Sequence, residues 1–210
     1  MPDKKSIYNL ALSHLAHRPI VSLTEETPAR YALDVIWGNG AVNTCLEQAL
    51  WTFAMRTQRI PYDPSIEPDF GYRRAFPKPA DWIRTASLSD NEYFDPALDA
   101  YVDEQQYWYA DVDTIYVRFV SEDASYGGDI NGWSPTFVDY VAMHVAVKAS
   151  KPVTGVMPDE HILRMEQTLL RRARSKNSMN EPARFPRMGS WASARLGRTG
   201  GSRMNGEIEV

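Results

Sequence analysis

Two different periods of hydrophobic and polar positions run along this chain, and the change between them divides it. Residues 3–17 place Ile7, Leu10, Ala11 and Leu15 near one face at helical spacing, behind an Asp3 suited to cap the first turn. Pro19 pushes the residue before it out of the helical region and ends that helix. A second helix is predicted from Thr27 as N-cap, with Pro28 at the first helical position, where a missing N–H costs nothing. Leu46, Ala49, Leu50, Phe53 and Ala54 supply a strong apolar stripe, so this helix is expected to reach about Gln58. Gly38 and Gly40 lie inside it, each costing about 1 kcal/mol against alanine. The expectation is one helix with a weak point. Residues 59–79 hold Pro61, Pro64, Pro68, Pro77 and Pro79 and read as a loop.

The period then falls to two. In "VDTIYVRFVSE", Ile115, Val117 and Phe119 alternate with Thr114, Tyr116 and Arg118, as a half-buried strand does. "DWIRTASL" and "QQYWYA" read as two further strands, with "NEYFDPALDAYVDE" between them as a turn or weak strand pair. "EDASYGGDINGWSP" reads as a loop. The helical period returns after the cap at Ser134 and Pro135, with Phe137, Val141, Val145 and Ala149 at every fourth position, and Pro152 is expected to end that helix. A last helix starts at Pro158. Its acids, Asp159 and Glu160, come first and its bases, Arg171, Arg172 and Arg174, come last, which complements the helix dipole. After Asn177 no period remains.

The expected fold class is therefore α+β, mainly α. An antiparallel four-helix bundle (1–59 and 134–177) carries an inserted small β-sheet (75–125) and ends in a flexible basic C-terminal tail (178–210). Within the stretch "AFPKPADWIRTASL", Pro77 and Pro79 read as a rigid joint where the chain leaves the bundle for the sheet, with Asp81 and Arg84 holding the corner.

Charge sharpens the picture of the tail. Residues 171–210 hold nine Lys or Arg against three acids, a net +6, and this leaves −10 on residues 1–170. A basic tail on an acidic body suggests docking on something acidic: nucleic acid, another protein, or the body of a neighbouring copy. The tail's Phe185, Trp191 and Leu196 are candidate anchors between Arg184, Arg187, Arg195 and Arg198, and they suggest ordering on a partner. The single cysteine, Cys45, allows no intrachain disulfide and fits a reducing cytoplasm. No signal peptide is evident, and no run approaches the ~20 apolar residues of a membrane span.

Candidate chemistry is sparse. His14 and His17 stand three apart, but no third metal ligand accompanies them. Cys45 reads as a small buried hydrophobe. Asp129, Asn131 and Gly132 make a fragment of a calcium loop without its downstream glutamate, so a turn is the ordinary reading. Glu25, Glu26, Asp111, Asp113, Glu122 and Asp123 offer carboxylates, none marked as a pair. Tyr107, Trp108, Tyr109 and Tyr116 suit a stacking platform, but their surroundings are acidic and repel phosphate. No catalytic residue, cofactor or metal is expected.

The order of motifs resembles the head-to-tail connector, or tail adaptor, family of short-tailed phages, the tail tubular protein A type. The resemblance spans roughly residues 7–175. It is carried by "YNLALSHLAHRPIVSLTEETPARYAL", by "LEQALWTFAMRTQRI" with Leu46, Trp51, Phe53 and Ala54 at matching positions, by "FGYRRAFPKPADWIR" with Pro79, Asp81, Ile83 and Arg84, and by "FVDYVAMHVAVKAS". The departures are His17 where a glycine is usual, Gly38 and Gly40 within the long helix, and one extra residue between the prolines and the acid.

The resemblance implies a structural virion protein without enzymatic activity, made in the host cytoplasm. Such proteins form a ring of about twelve copies between portal protein and tail nozzle protein, extend the DNA channel, and serve head completion and DNA ejection. It implies that the C-terminal segment reaches the portal, and that genomic DNA passes without sequence-specific binding. Acidic channel walls suit that passage. The alternatives are a nucleic-acid-binding module using residues 171–203 and, behind it, a cell-wall hydrolase with paired carboxylates.

Overall fold

Helix α1 (Lys4–His14) opens on a reciprocal cap, in which the Asp3 carboxylate accepts from the Ser6 N–H and the Ser6 hydroxyl accepts from the Asp3 N–H. Its inner face buries Ile7, Tyr8, Ala11 and Leu12. Helix α2 (Pro28–Gly38) starts at the Thr27 cap with Pro28 in its first turn. The two helices are tied at Asp34, whose carboxylate meets Lys4 at 3.0 Å, Arg30 at 2.8 Å and the Tyr8 hydroxyl at 2.9 Å. Burial works to raise the Asp34 pKa, but the bonds from Arg30, Lys4 and Tyr8 outweigh it and hold the pKa at about 2.

The structure is a computed structural model that describes residues 2–69 and 71–180. Its described residues belong to one compact unit, Met1–Asn180. They form five α-helices and two three-stranded antiparallel sheets, an α+β mix and not the four-helix bundle expected from the periodicity. The difference arises between residues 38 and 61. Gly38 ends α2, and Gly40 takes φ +80°, a left-handed conformation that glycine adopts without a Cβ clash. A short helix α3 (Ala41–Glu47) follows, then a single 3₁₀ turn (Thr52–Ala54), then strand β1 (Met55–Pro61).

What stops α3 comes from far along the chain. Arg84 donates to the Glu47 carbonyl, Arg174 to that of Gln48, and Asn177 to that of Leu50, while the Trp51 indole donates to that of Cys45. Carbonyls that a longer helix would bond internally are satisfied by tertiary partners instead. The stripe read as one helix face is thus a turn that drives Trp51 and Ala54 into the core.

Strands β2 (Arg74–Pro77), β3 (Trp82–Ser89), β4 (Val102–Asp103), β5 (Tyr107–Ala110) and β6 (Thr114–Ser121) complete the sheets. One sheet has the order β1-β6-β3 and the other β2-β5-β4. Residues 59–79 are therefore not all loop, since they contain the end of β1 and all of β2. Alternation along β6 turns Ile115, Val117 and Phe119 into a cluster with Ile60 and Leu88 of its own sheet and Phe76, Trp108 and Ala110 of the other. Val120, pointing the opposite way, joins the helical core.

That core is organised around helix α4 (Pro135–Thr154), against which α1, α2, α3 and helix α5 (Glu160–Met179) pack. Aromatic rings run through it. Phe137 lies 4.7 Å from Trp51, 4.9 Å from Phe53 and 5.1 Å from Trp133, and Trp133 stacks on Trp37. Pro152 does not end α4. In the last turn it removes only one backbone bond, and the helix runs to Thr154 before Gly155 closes it at φ +75°.

Candidate functional site

The stretch from Pro77 to Arg84 crosses from one sheet to the other. Pro77 is the last residue of β2, opposite Tyr107, and Pro79 opens a tight turn whose carbonyl accepts from the Trp82 N–H at 3.0 Å. The prolines thus stand between β2 and β3, sheet to sheet, whereas a passage from helices to sheet was expected. Proline's fixed φ suits a corner that needs one direction of exit.

Asp81 sits at that corner just ahead of β3. Its carboxylate meets Arg56 of β1 at 2.8 Å and also accepts from the Ser121 hydroxyl at the end of β6, while its carbonyl accepts from the Glu122 N–H. One side chain therefore fastens all three strands of its sheet. Burial works to raise its pKa, but the bonds from Ser121 and Arg56 outweigh it and hold the carboxyl below the usual range. Arg84, in β3, reaches the other way and donates to the Glu47 carbonyl at 3.1 Å, joining the sheet to α3.

Beside this corner lies a second polar network, which sequence reasoning missed. The Lys78 ammonium lies 3.5 Å from the centre of the Trp82 ring and 2.5 Å from the Asp103 carboxylate, with its side chain only 5% exposed. The Thr85 hydroxyl accepts from both the Trp82 and the Trp108 indoles and donates to Asp103. Thr85 and Trp82 belong to β3, Trp108 to β5 and Asp103 to β4, so the network stitches the two sheets together. Nothing in the spacing of Lys78, Trp82 and Thr85 marks this network in the sequence, because its partners Asp103 and Trp108 come from the other sheet.

A cleft of about 610 Å³ opens between Glu47, Gln48, Arg84, Tyr101, Asp103 and Arg174. Two guanidinium groups line it, each anchored on one of two consecutive backbone carbonyls.

The structure does not gather the other candidates. Glu25 accepts from the Val21 N–H, Asp111 from the Arg73 N–H, Asp123 from the Ser125 N–H and Glu122 from Asn43, while Asp113 pairs with Arg74. Glu25 and Asp123 serve their own turns, while Asp111, Asp113 and Glu122 each bind a residue of a distant segment, and among the described residues no two of the five share a partner. Asp129 caps a 3₁₀ turn and accepts from Asn131. Among the described residues, no three His, Cys, Asp or Glu side chains come together as a metal site requires. Cys45 is fully buried in the helical core, and burial pushes its thiol up to about 12. A half-buried contact absent from the sequence reading joins His144 of α4 to Glu166 of α5 at 2.6 Å. The candidate tail residues Arg184, Phe185, Arg187, Trp191, Arg195, Leu196 and Arg198 lie outside the described residues. No described helix is long and apolar enough to cross a membrane.

No protein-family model matches the chain, and no curated protein matches it.

Proposed function

We propose that the chain is a non-catalytic tail adaptor of a short-tailed phage. In this reading it forms a ring between portal protein and tail nozzle protein, extends the DNA channel, and serves head completion and DNA ejection. It would be made in the host cytoplasm and work in the virion, with its own copies, the portal and the nozzle as partners. The reading starts from the resemblance carried by Trp51, Phe53, Pro79, Asp81 and Arg84.

One observation supports it above the rest. The polar side chains of the Pro77–Arg84 stretch hold parts together: Asp81 joins three strands, Lys78 bridges the sheets, and Arg84 ties sheet to helix. Such a corner suits a protein that transmits position between two partners. The resemblance assigns portal docking to the C-terminal segment, whose bases and apolar anchors suit an acidic, grooved partner.

The test is to mix the purified chain with its portal and image the product by electron microscopy. A ring stacked on the portal is the expected result. Because α5 runs to Met179, the truncation that probes the tail belongs after Asn180. Docking should be lost and helicity kept. A truncated chain that still docks refutes the role given to the tail, and a full chain that never stacks on the portal refutes the adaptor reading.

A further inference from the structure

Charge is divided between two surfaces of this protein. Residues 85–117 hold eight acids and no Lys or Arg. Their most open part is the loop from β3 to β4, where Asp90, Glu92 and Asp99 are exposed and Tyr93 is 80% exposed. Helix α5 holds five bases against two acids. Its inner stripe, Ile162, Glu166, Leu169, Ala173 and Asn177, packs inward at helical spacing, and its outer face presents Arg164, Arg171, Arg172 and Lys176 to solvent. Along the flank of that face stand Met165 and Met179, the latter 70% exposed.

Among the described residues, no ion pair joins a base of α5 to Asp90, Glu92 or Asp99. Arg174 of α5 shares a cleft with Asp103 of the acidic segment, and Asp103 is paired with Lys78. On the outer face, Arg164 pairs with Glu160 within the helix. Both surfaces also expose apolar groups of a kind that pair well, a tyrosine ring on one and thioethers on the other.

We propose that the outer face of α5 docks on the acidic β3–β4 loop of a second copy of this chain. The two faces are different surfaces, so the contact is head-to-tail, and repetition closes a ring or builds a filament. The inference deepens the adaptor reading and rests on it only for the expectation that the ring closes. Duplex DNA competes for the same basic face, but DNA would leave the acidic loop and its exposed tyrosine without a role.

The experiment follows the association state of the full-length chain by sedimentation velocity in about 0.1 M and about 1 M salt, where screening lengths differ about threefold. Higher-order species at low salt, dispersed at high salt, are expected. R171E/R172E and E92K/D99K should each weaken association about tenfold or more. The chain carrying all four substitutions swaps the two faces, so it should associate as the unsubstituted chain does. Circular dichroism checks that each variant is folded, and the salt response of the unsubstituted chain stands without any variant.

Association that ignores salt, or a four-fold variant that stays dissociated though folded, overturns the inference. So does an R171E/R172E variant that loses binding to a DNA duplex but keeps its self-association. A chain that stays monomeric at low salt also overturns it, yet leaves the adaptor reading to the portal-stacking experiment.

Discussion

Replacing Asp81 with asparagine tests the corner directly. The side chain keeps its size and loses its charge. In the native protein the carboxylate accepts from Arg56 at 2.8 Å and from the Ser121 hydroxyl, with the Asp81 side chain 17% and Arg56 30% exposed. Hydrogen bonds to a charged partner contribute about 1.5–3 kcal/mol, and solvent screening at Arg56 places the loss near the lower end. Asp81→Asn should therefore cost about 2 kcal/mol at neutral pH, which for a unit of this size lowers Tm by about 4–8 °C. The pH dependence carries a sign. The folded pKa is depressed, so the contribution is complete above the unfolded carboxylate value of about 3.9 and is lost as pH falls through the folded value. Urea unfolding of both proteins across that range should show a gap that is constant near neutrality and narrows in acid. Combining Asp81→Asn with Arg56→Gln should give less than the sum of the single effects, by about 1 kcal/mol. A gap below about 0.5 kcal/mol at neutral pH, the scatter of ordinary surface substitutions, would refute the assignment of the corner, and so would strictly additive effects.

Asp34→Asn should cost roughly 1–2 kcal/mol at neutral pH by releasing α1 from α2. Because the Asp34 pKa stands at about 2, that difference should shrink as pH falls from about 4 toward 2, followed by thermal melts. Thr85→Val takes the acceptor from the Trp82 indole, while the Trp108 indole keeps its bond to Asp103 at 3.2 Å, and should lower stability by about 1–3 kcal/mol in urea titrations. Gly127→Ala should destabilise by about 1–3 kcal/mol, since the added methyl group runs into the Ser121 carbonyl and the side chains of Leu46 and Ala54. Cys45, its thiol pushed up to about 12 by burial, should resist thiol reagents in the native protein and react at once after unfolding.

How far the chain could be read from its pattern depends on where each element finds its partners. Helices α1 and α4 were legible because caps at Asp3 and Ser134, and stripes at fixed spacing, are local facts; α5 was legible from its acids first and bases last, although it begins at Glu160 behind an Asp159 cap and not at Pro158. Strand β6 was legible for the same reason, its alternation of Ile115, Val117 and Phe119 being complete within eight residues. The segment from Ala41 to Pro61 was not. Its apolar stripe fits a helix, and what overrules the helix is supplied by Arg84, Arg174 and Asn177. The last two lie some 125 residues further along, beyond any window over which a period can be measured. Strand β1 was hidden in the same way, since Arg59 and Ile60 gain their meaning from Tyr116 and Ile115 opposite them.

The corner shows both cases at once. Its rigidity was legible, because proline restricts its own backbone wherever it stands. Its neighbours were not, because a second sheet made of β2, β5 and β4 leaves almost no periodic trace: β4 has two residues, and β2 and β5 have four each. Strands that short are held by what they pack on, here Trp108 and Phe76 against Ile115, Val117 and Phe119. The second sheet therefore depends on the first for its core and on Lys78, Thr85 and Asp103 for its alignment. A change at the corner acts on the register between two sheets, so its effect should appear in whatever the acidic β3–β4 loop touches, at a distance from the substituted residue.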